Sequence, residues 1–418
     1  MSVLHVFRHR HLVLLWCSQL LSAVGDQLYE IAVVWIAVRL VASQAGVVLS
    51  AGAFARMLCG VFGGVYADRW DRRKTMLVVD LLRGGVALTL PLASRLGRLS
   101  VWHLAAATAV LGGLSALFDP ALQASLPTVV PQRATLHAMN SLLDATRRLA
   151  RIFGPGLAGG LVAVLPLDQF FTVDALTFGV SAAALAALRA HFPPAARPAG
   201  VPAPGSGRVL QDLLEAGRLT LAHRPFLWSV MGGLVMNLTW SGLFTVGLAL
   251  FVRAALGASA GAYGALVAAY GVGNVLGALV VGTLRIRRRA LAYFLGTLAL
   301  GGGFLALAGA SSLPLALVCV GVAALGGPLG DLPLLLTIQG DFPERHVGKI
   351  YSLRMVLAGI GASLGLLLAT PVFAMCSPRL GIALLALTML AVGTIGTLRW
   401  GGRAERGASE QVPGSSGR

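Results

Sequence analysis

The sequence predicts an all-α membrane protein of twelve transmembrane helices in two pseudo-symmetric six-helix halves. Three observations carry that expectation. Of 418 residues, 56% are hydrophobic and only 12% charged, with a mean hydropathy of +0.80, whereas a soluble domain carries roughly 25% charged residues to cover its surface. The apolar residues fall into twelve runs, each near the ~20 residues that cross about 30 Å of hydrocarbon as a helix. Finally, a pattern repeats across the middle of the chain. Asp119 and Asp331 are 212 residues apart, as are Pro131 and Pro343, and the Ser-Leu pairs at 141–142 and 352–353 are offset by 211. Together these exclude a soluble enzyme, a disordered chain and a disulfide-stapled secreted domain.

Taken in order, the first run, 13–38, is long and interrupted by acids, so it reads as a spanning helix and not as a cleavable signal peptide. Runs at 45–66, 75–95, 101–120, 138–163 and 168–190 complete a first half, residues 1–190. Residues 191–225 form the only long polar segment: a Pro/Ala/Gly-rich linker (HFPPAARPAGVPAPGSG), then an amphipathic stretch (VLQDLLEAGRLTLAH) that predicts a surface helix. The second half, 226–400, holds runs at 227–251, 261–284, 290–310, 312–338, 350–375 and 379–399, followed by a tail at 401–418. GGVYADRWDRRK after the second run is echoed by VGTLRIRRR after the eighth. Parallel six-span repeats are one established transporter plan.

The net charge of +17 comes from 31 Arg and 2 Lys against 16 acids. Such a balance often marks nucleic-acid binding, but here the basic residues sit in short loops, where they set topology. One side carries 22 of them, including Arg8, Arg10, Arg72, Arg73, Lys74, five in and just before the linker (Arg189, Arg197, Arg208, Arg218, Arg224) and Arg285, Arg287, Arg288 and Arg289, and the other side 5. The positive-inside rule then places both termini and the linker in the cytoplasm. Cys17, Cys59, Cys319 and Cys376 are scattered and form no CxxC pair, so no disulfide, metal site or cofactor is expected.

Ionisable residues at span depth cost several kcal/mol unless a partner or a water-filled cavity receives them. Asp26 lies near the middle of span one, with Glu30 one turn further along the same face. Two carboxylates so placed repel each other, and both repulsion and desolvation favour holding a proton; both are proton-coupling candidates. The alternative is a structural pairing with Arg56 in span two or an arginine of span five. Asp80 and Arg83, three residues apart, are expected to pair with each other. Asp144 is within reach of Arg147 or Arg148, leaving Arg151 deepest, as an anion-binding group, a partner for Asp26 or a packing residue. Asp174 and Asp331 are assigned structural roles.

In the loop after span two, Asp68 is placed to cap the next helix and to pair with an arginine, making a latch that breaks in the alternate state. Gly154-Pro155 is expected to interrupt span five, since proline removes a backbone hydrogen bond. Polar and aromatic residues near span midpoints are the candidate substrate contacts: Tyr29, Trp35, Asn237, Trp240, Phe244 and Tyr270. Trp16, Trp102 and Trp400, near span ends, are expected to be interfacial anchors.

Several of these motifs carry a family resemblance. The run Gly64-Val-Tyr-Ala-Asp68-Arg69-Trp-Asp-Arg72-Arg73 resembles the signature between spans two and three of the major facilitator superfamily, with Asp71 where the pattern usually has Gly. Gly154-Pro155-Gly-Leu-Ala-Gly159-Gly160 resembles the span-five motif of its antiporter members. The segments LLWCSQLLSAVGDQLYEIAVVW, DPALQASLPTVVP and AMNSLLDATRRLARIFGPGLAGG are most similar to the drug:proton antiporter group that includes macrolide and siderophore exporters. The resemblance implies a monomeric transporter of a bacterial inner membrane, exporting drug-like small molecules against protons.

Other function classes lack their residues. Neither lysine follows a GxxxxGK[ST] loop, so an ATP-driven pump is not expected. There is no voltage-sensor arginine ladder, no mid-span histidine and no nucleophile or metal constellation, so neither a channel nor an enzyme is expected. The sequence predicts proton-coupled efflux of amphipathic small molecules. Open alternatives are a siderophore or metabolite exporter, a lysophospholipid flippase, a metal exporter and, from another class, a transport-inactive sensor or scaffold.

Overall fold

In lipid every backbone N–H and C=O must find a partner within the segment, which leaves the helix as the natural solution for long apolar runs. The computed structural model describes residues 4–67, 71–130, 132–192, 206–284 and 286–400, and these are helical with no strand among them. After a short turn of helix at Leu4–Phe7 come α1 (Arg10–Val41), α2 (Ala45–Ala67), α3 (Arg72–Arg95), α4 (Val101–Val129), α5 (Arg133–Leu161) and α6 (Gln169–Ala187). The amphipathic stretch forms α7 (Ser206–Ala222). Then follow α8 (Arg224–Ser241), α9 (Ala260–Thr283), α10 (Arg289–Ala308), α11 (Leu313–Ala324), α12 (Gly327–Asp341), α13 (Glu344–Met375) and α14 (Pro378–Trp400). Residues 193–205 of the linker and the tail at 401–418 lie outside the described residues.

Ten helical stretches among the described residues are long and apolar enough to cross a membrane. One of them, Arg10–Gly60, contains α1 and α2 as far as Gly60, joined by a 3₁₀ turn at Ala42–Gln44. The α5 helix is not among the ten because Asp144, Arg147, Arg148 and Arg151 crowd its middle. Large apolar side chains stand exposed along several helices, as at Leu92 (59%), Leu279 (65%) and Val318 (61%), which is the surface a bilayer would cover.

Contacts sort the helices into two units. The first comprises α1 to α6 together with Phe244–Ala268 and Leu366–Met375; the second comprises α7, α8 as far as Leu243, Ala269–Gly365 and α14. In the first, α2 packs on α4, α3 on α6, and α1 on both α5 and α6, around a core that includes Leu12, Leu15, Met76, Phe118, Leu126 and Met139. In the second, α10 packs on α11, α12 and α14, and α14 on α8.

Two helices depart from the expected pattern. The run at 312–338 is broken into α11 and α12 at Leu325-Gly326. There α10 comes so close that a Cβ on Gly326 would sit 2.6 Å from the Gly296 carbonyl oxygen, and two glycines followed by Pro328 let the backbone turn. Span seven continues past α8 through π-helical turns at Gly242–Gly247 and Phe251–Ala255. Of the expected interfacial tryptophans, Trp102 is 79% exposed. Trp400, by contrast, is buried with Ala290, Tyr293 and Phe294, and the Trp16 indole donates to Thr146 Oγ1 at 2.9 Å.

Candidate functional site

The first unit gathers its intramembrane charges where α1, α3 and α6 meet. Asp26 comes from α1, Asp80 and Arg83 from α3, and Asp174 from α6. Arg83 Nη2 donates to Asp26 Oδ1 at 2.7 Å, and its guanidinium lies 3.9 Å from the centre of the Phe178 ring, a favourable cation–π position. Asp80 and Asp174 are each 1% exposed. Both carboxyl oxygens of Asp80, and Oδ1 of Asp174, are buried without a hydrogen-bond partner. Gly25 makes room for this approach, because a Cβ there would fall 2.5 Å from Thr177 Oγ1 and 2.7 Å from Asp174 Oδ1.

This corrects the expected local pair of Asp80 with Arg83. Spacing along one helix permits that pair, but arginine is long enough to cross to α1. There Asp26, 42% exposed, holds a negative charge at lower desolvation cost than the buried Asp80. Nothing local to α6 singles out Asp174, whose burial shows only once α6 is packed.

Glu30 is exposed and accepts from Gln27 Nε2 at 3.4 Å; Arg56, Asp26 and Arg151 are the charges within its electrostatic reach. Arg56 and Arg151 are both exposed. Further along α5, Arg148 pairs with Asp144 at 2.8 Å, while Arg147 crosses to Asp119 on α4 at 2.8 Å. The second unit repeats this last arrangement, with Arg354 of α13 reaching Asp331 of α12 at 2.6 Å. The 212-residue offset of the two aspartates was the available sign of it, but Arg147 and Arg354 are not offset equally, and local spacing points Arg147 to Asp144 instead of Asp119.

The basic loop is fastened from below. Asp71 caps α3 by accepting from the Lys74 amide at 3.0 Å, as an aspartate at an N-cap should. The expected cap, Asp68, lies outside the described residues with Arg69, and nothing is described of Gly64 beyond its place in α2. Arg72 donates to the Ala124 carbonyl at 2.5 Å, and Arg73 donates to the carbonyls of Leu185 and Ala186 at 2.7 and 3.1 Å.

Gly154-Pro155 does not interrupt span five, since α5 runs unbroken from Arg133 to Leu161. The missing proline N–H is accommodated within a tightly packed helix. A Cβ on Gly154 would meet the Gln27 side chain at 2.6 Å, and one on Gly159 would meet the Gly261 carbonyl at 2.9 Å. A Cβ on Gly264 would lie 2.6 Å from the Pro155 carbonyl. The motif is a seam that brings α5 backbone against α9 backbone, with Gly160 facing open space.

The six candidate substrate contacts divide between the units. In the first, Tyr29 is half-buried, donating to Thr108 Oγ1 at 3.2 Å and packing 5.5 Å from Phe171. Trp35 is buried and stacked 6.1 Å from Tyr263, a packing position; Phe244 is half-buried. In the second, Trp240, Tyr270 and Phe304 form a chain of rings 6.0 and 6.4 Å apart, and Asn237 Nδ2 donates to the Gly233 carbonyl.

A second charged cluster, not anticipated, ties α7 to α13 within the second unit. Lys349 Nζ reaches Asp212 Oδ1 at 2.8 Å and Glu215 Oε2 at 2.6 Å, and His346 Nδ1 stands 3.3 Å from Glu215 Oε1. The Lys349 ammonium holds the Glu215 carboxyl below the ordinary carboxylate value. Nearby, Asp341 joins Arg289 at 2.7 Å and faces His223 at 3.6 Å.

Comparisons with known proteins agree with this architecture. Residues 1–341 match the family model described as transmembrane secretion effector. Among curated relatives, the multidrug efflux pump Tap of Mycolicibacterium fortuitum is 27% identical over 398 residues, covering 92% of this chain and 94% of that protein. The macrolide efflux protein A of Streptococcus pyogenes is 25% identical over 179 residues, covering 42% of this chain and 44% of its own. Among solved structures, an inward-facing bacterial homologue of the lysosomal transporter Spinster superposes with a TM-score of 0.66 at 17% identity, covering 94% and 95% of the two chains. A POT family transporter bound to a thioalcohol-conjugated peptide gives 0.72 at 10% identity, covering 95% and 97%. With helices of membrane-spanning length, the superfamily's loop signature and a family match over most of its length, the chain belongs to the transmembrane secretion effector family of major facilitator superfamily transporters.

Proposed function

We propose that this transporter is a proton-coupled antiporter that exports amphipathic, drug-like small molecules across a bacterial cytoplasmic membrane while protons move inward. The observation that carries the proposal is Asp26. It is 42% exposed, at span depth, and bound to a buried arginine, so a proton or a cationic substrate can compete for its charge. The efflux pumps among its relatives support the substrate class. Glu30, one turn along, is a second proton acceptor.

The same reading makes twelve spans of the ten stretches. Arg10–Gly60 has 51 residues, which as one helix would extend about 75 Å, more than twice the hydrocarbon thickness, so it counts as two. The 29-residue α5 supplies the last. The sequence repeat divides the twelve into two halves, and the arginine asymmetry sets both termini and the linker in the cytoplasm. The chain acts as a monomer. Gly64, Asp68, Arg69, Arg72 and Arg73 form the latch, of which Arg72 and Arg73 anchor the loop to the ends of α4 and α6.

The test is proton movement in proteoliposomes with a pH-sensitive dye trapped inside. Macrolides, cationic dyes, siderophores and lysolipids are added in turn to wild type and Asp26→Asn. Proton flux triggered by a macrolide or dye and abolished by Asp26→Asn supports the proposal. Substrate movement without proton movement in either protein refutes coupling and identifies a uniporter or flippase.

A further inference from the structure

Within the first unit a single guanidinium is shared among three aspartates. Arg83 is committed to Asp26 at 2.7 Å and to the face of Phe178 at 3.9 Å. Asp80 and Asp174, each 1% exposed, form no ion pair among the described residues, and the group beside the buried Asp80 carboxyl is the neutral Ser181 hydroxyl. A carboxylate so placed is shut off from bulk solvent and has no cation of its own, and burying it charged costs far more than burying the neutral acid.

The surrounding charges do not change this balance. Asp26, Arg83, Glu30 and Asp80 are the groups within electrostatic reach of Asp174; Arg83 and Asp26 are those within reach of Asp80, with the Ser181 hydroxyl beside it. The other cations, Arg56 and Arg151, act on Glu30. One positive charge can neutralise one of the three aspartates, and in this conformation it neutralises Asp26.

We propose that Asp80 and Asp174 are proton-holding residues, and that Arg83 decides which of the three aspartates is ionised. The inference rests on the proton-coupled reading above and extends it to two residues to which the sequence assigned structural roles. In the exchange step, Arg83 leaves Asp26 for Asp174 or Asp80. The O–H bond of that acid breaks as its carboxylate forms the new ion pair. Its proton passes to an oxygen of Asp26, which is exposed enough to hand it on to water. One proton moves, one carboxylate is ionised before and after, and the net charge of the cluster is unchanged.

Infrared difference spectroscopy of the reconstituted protein at neutral pH, with no substrate added, tests this. The C=O stretch of a protonated carboxyl group stands apart from the carboxylate bands and shifts in D₂O. Asp80→Asn and Asp174→Asn are each expected to remove one component of the acid band. Asp26→Asn is expected to remove one as well, because Arg83 then turns to a buried neighbour and ionises it; a merely structural Asp26 would leave the band whole. If Asp174→Asn does not fold, Asp174→Glu keeps the acid and must shift the component instead of deleting it. An acid band of equal intensity in wild type and both buried-site variants overturns the proposal, as does a full band in Asp26→Asn. The spectra need neither substrate nor gradient. Expected spectra without substrate-driven proton flux would therefore leave the proton store standing and refute only the coupling.

Discussion

Arg83 and Asp26 meet at 2.7 Å between α3 and α1, and the cation is the buried partner, 8% exposed against 42% for the carboxylate. Removing the acid from a buried pair ordinarily costs about 3–5 kcal/mol, because it strands the opposite charge. Here two further acids stand by. Asp26→Asn is expected to cost only about 1 kcal/mol, whereas removing Asp26, Asp80 and Asp174 together costs at least about 3 kcal/mol. Thermal unfolding in detergent measures both, and simple additivity of the three single variants would refute the shared-counterion account.

The glycine seam between α5 and α9 predicts effects of opposite sign at neighbouring positions. Gly264→Ala pushes a methyl against backbone atoms of Pro155 and Gly159 and is expected to destabilise by about 1–3 kcal/mol. Gly160→Ala meets nothing and is expected to stabilise by about 0.5–1 kcal/mol through helix propensity. The two melting temperatures should move in opposite directions.

At the start of α3, Asp71→Ala removes the cap and is expected to cost about 1 kcal/mol, whereas Asp71→Gly, restoring the residue usual in the signature, costs only a few tenths. Arg73→Ala leaves the terminal carbonyls of Leu185 and Ala186 without their donor and is expected to cost about 1–2 kcal/mol. Chemical denaturation of the three variants gives the ranking, and a neutral Arg73→Ala would exclude the anchoring role.

The α7 clasp has a definite pH dependence. Since Lys349 lowers the folded-state value of Glu215, its contribution is complete above the ordinary carboxylate value and fades as pH falls through the lower, folded one. Hydrogen exchange across residues 206–222, taken relative to the intrinsic amide rate at each pH, should therefore stay flat from neutral to mildly acidic pH and rise below that. Lys349→Met should raise it several-fold already at neutral pH. A clasp that loosened between neutral and mildly alkaline pH, well below the range in which Lys349 loses its proton, would contradict the assignment.

Ala42, between α1 and α2, has φ 48° and ψ −117°, a region that strains any side chain by about 1–3 kcal/mol. Ala42→Gly should raise stability by about 1 kcal/mol, readable as a higher melting temperature. A lower one would show that the turn tolerates alanine without strain.

Much of this was legible in the sequence because it depends on composition and local spacing. Apolar runs of spanning length, the repeat at 212 residues and the amphipathic α7 segment all follow from single-helix physics. Asp26 stood out because an acid at mid-span is costly wherever it points. What stayed hidden depends on which helix faces which. The spacing of Asp80 and Arg83 suggested a pair, but cannot say that α1 brings a better-solvated carboxylate within an arginine's reach. Nor can it say that Asp174 is 1% exposed, since burial belongs to the packed bundle. The glycines of 154–160 announced a special helix, and only packing showed the seam they form against α9. By itself, then, the sequence determined that this chain is a helical membrane transporter and which acids fall within its apolar runs. The tertiary structure decided which of the acids shares the buried Arg83, because a single cation among three carboxylates is allotted by distance and solvation across helices that no local pattern relates.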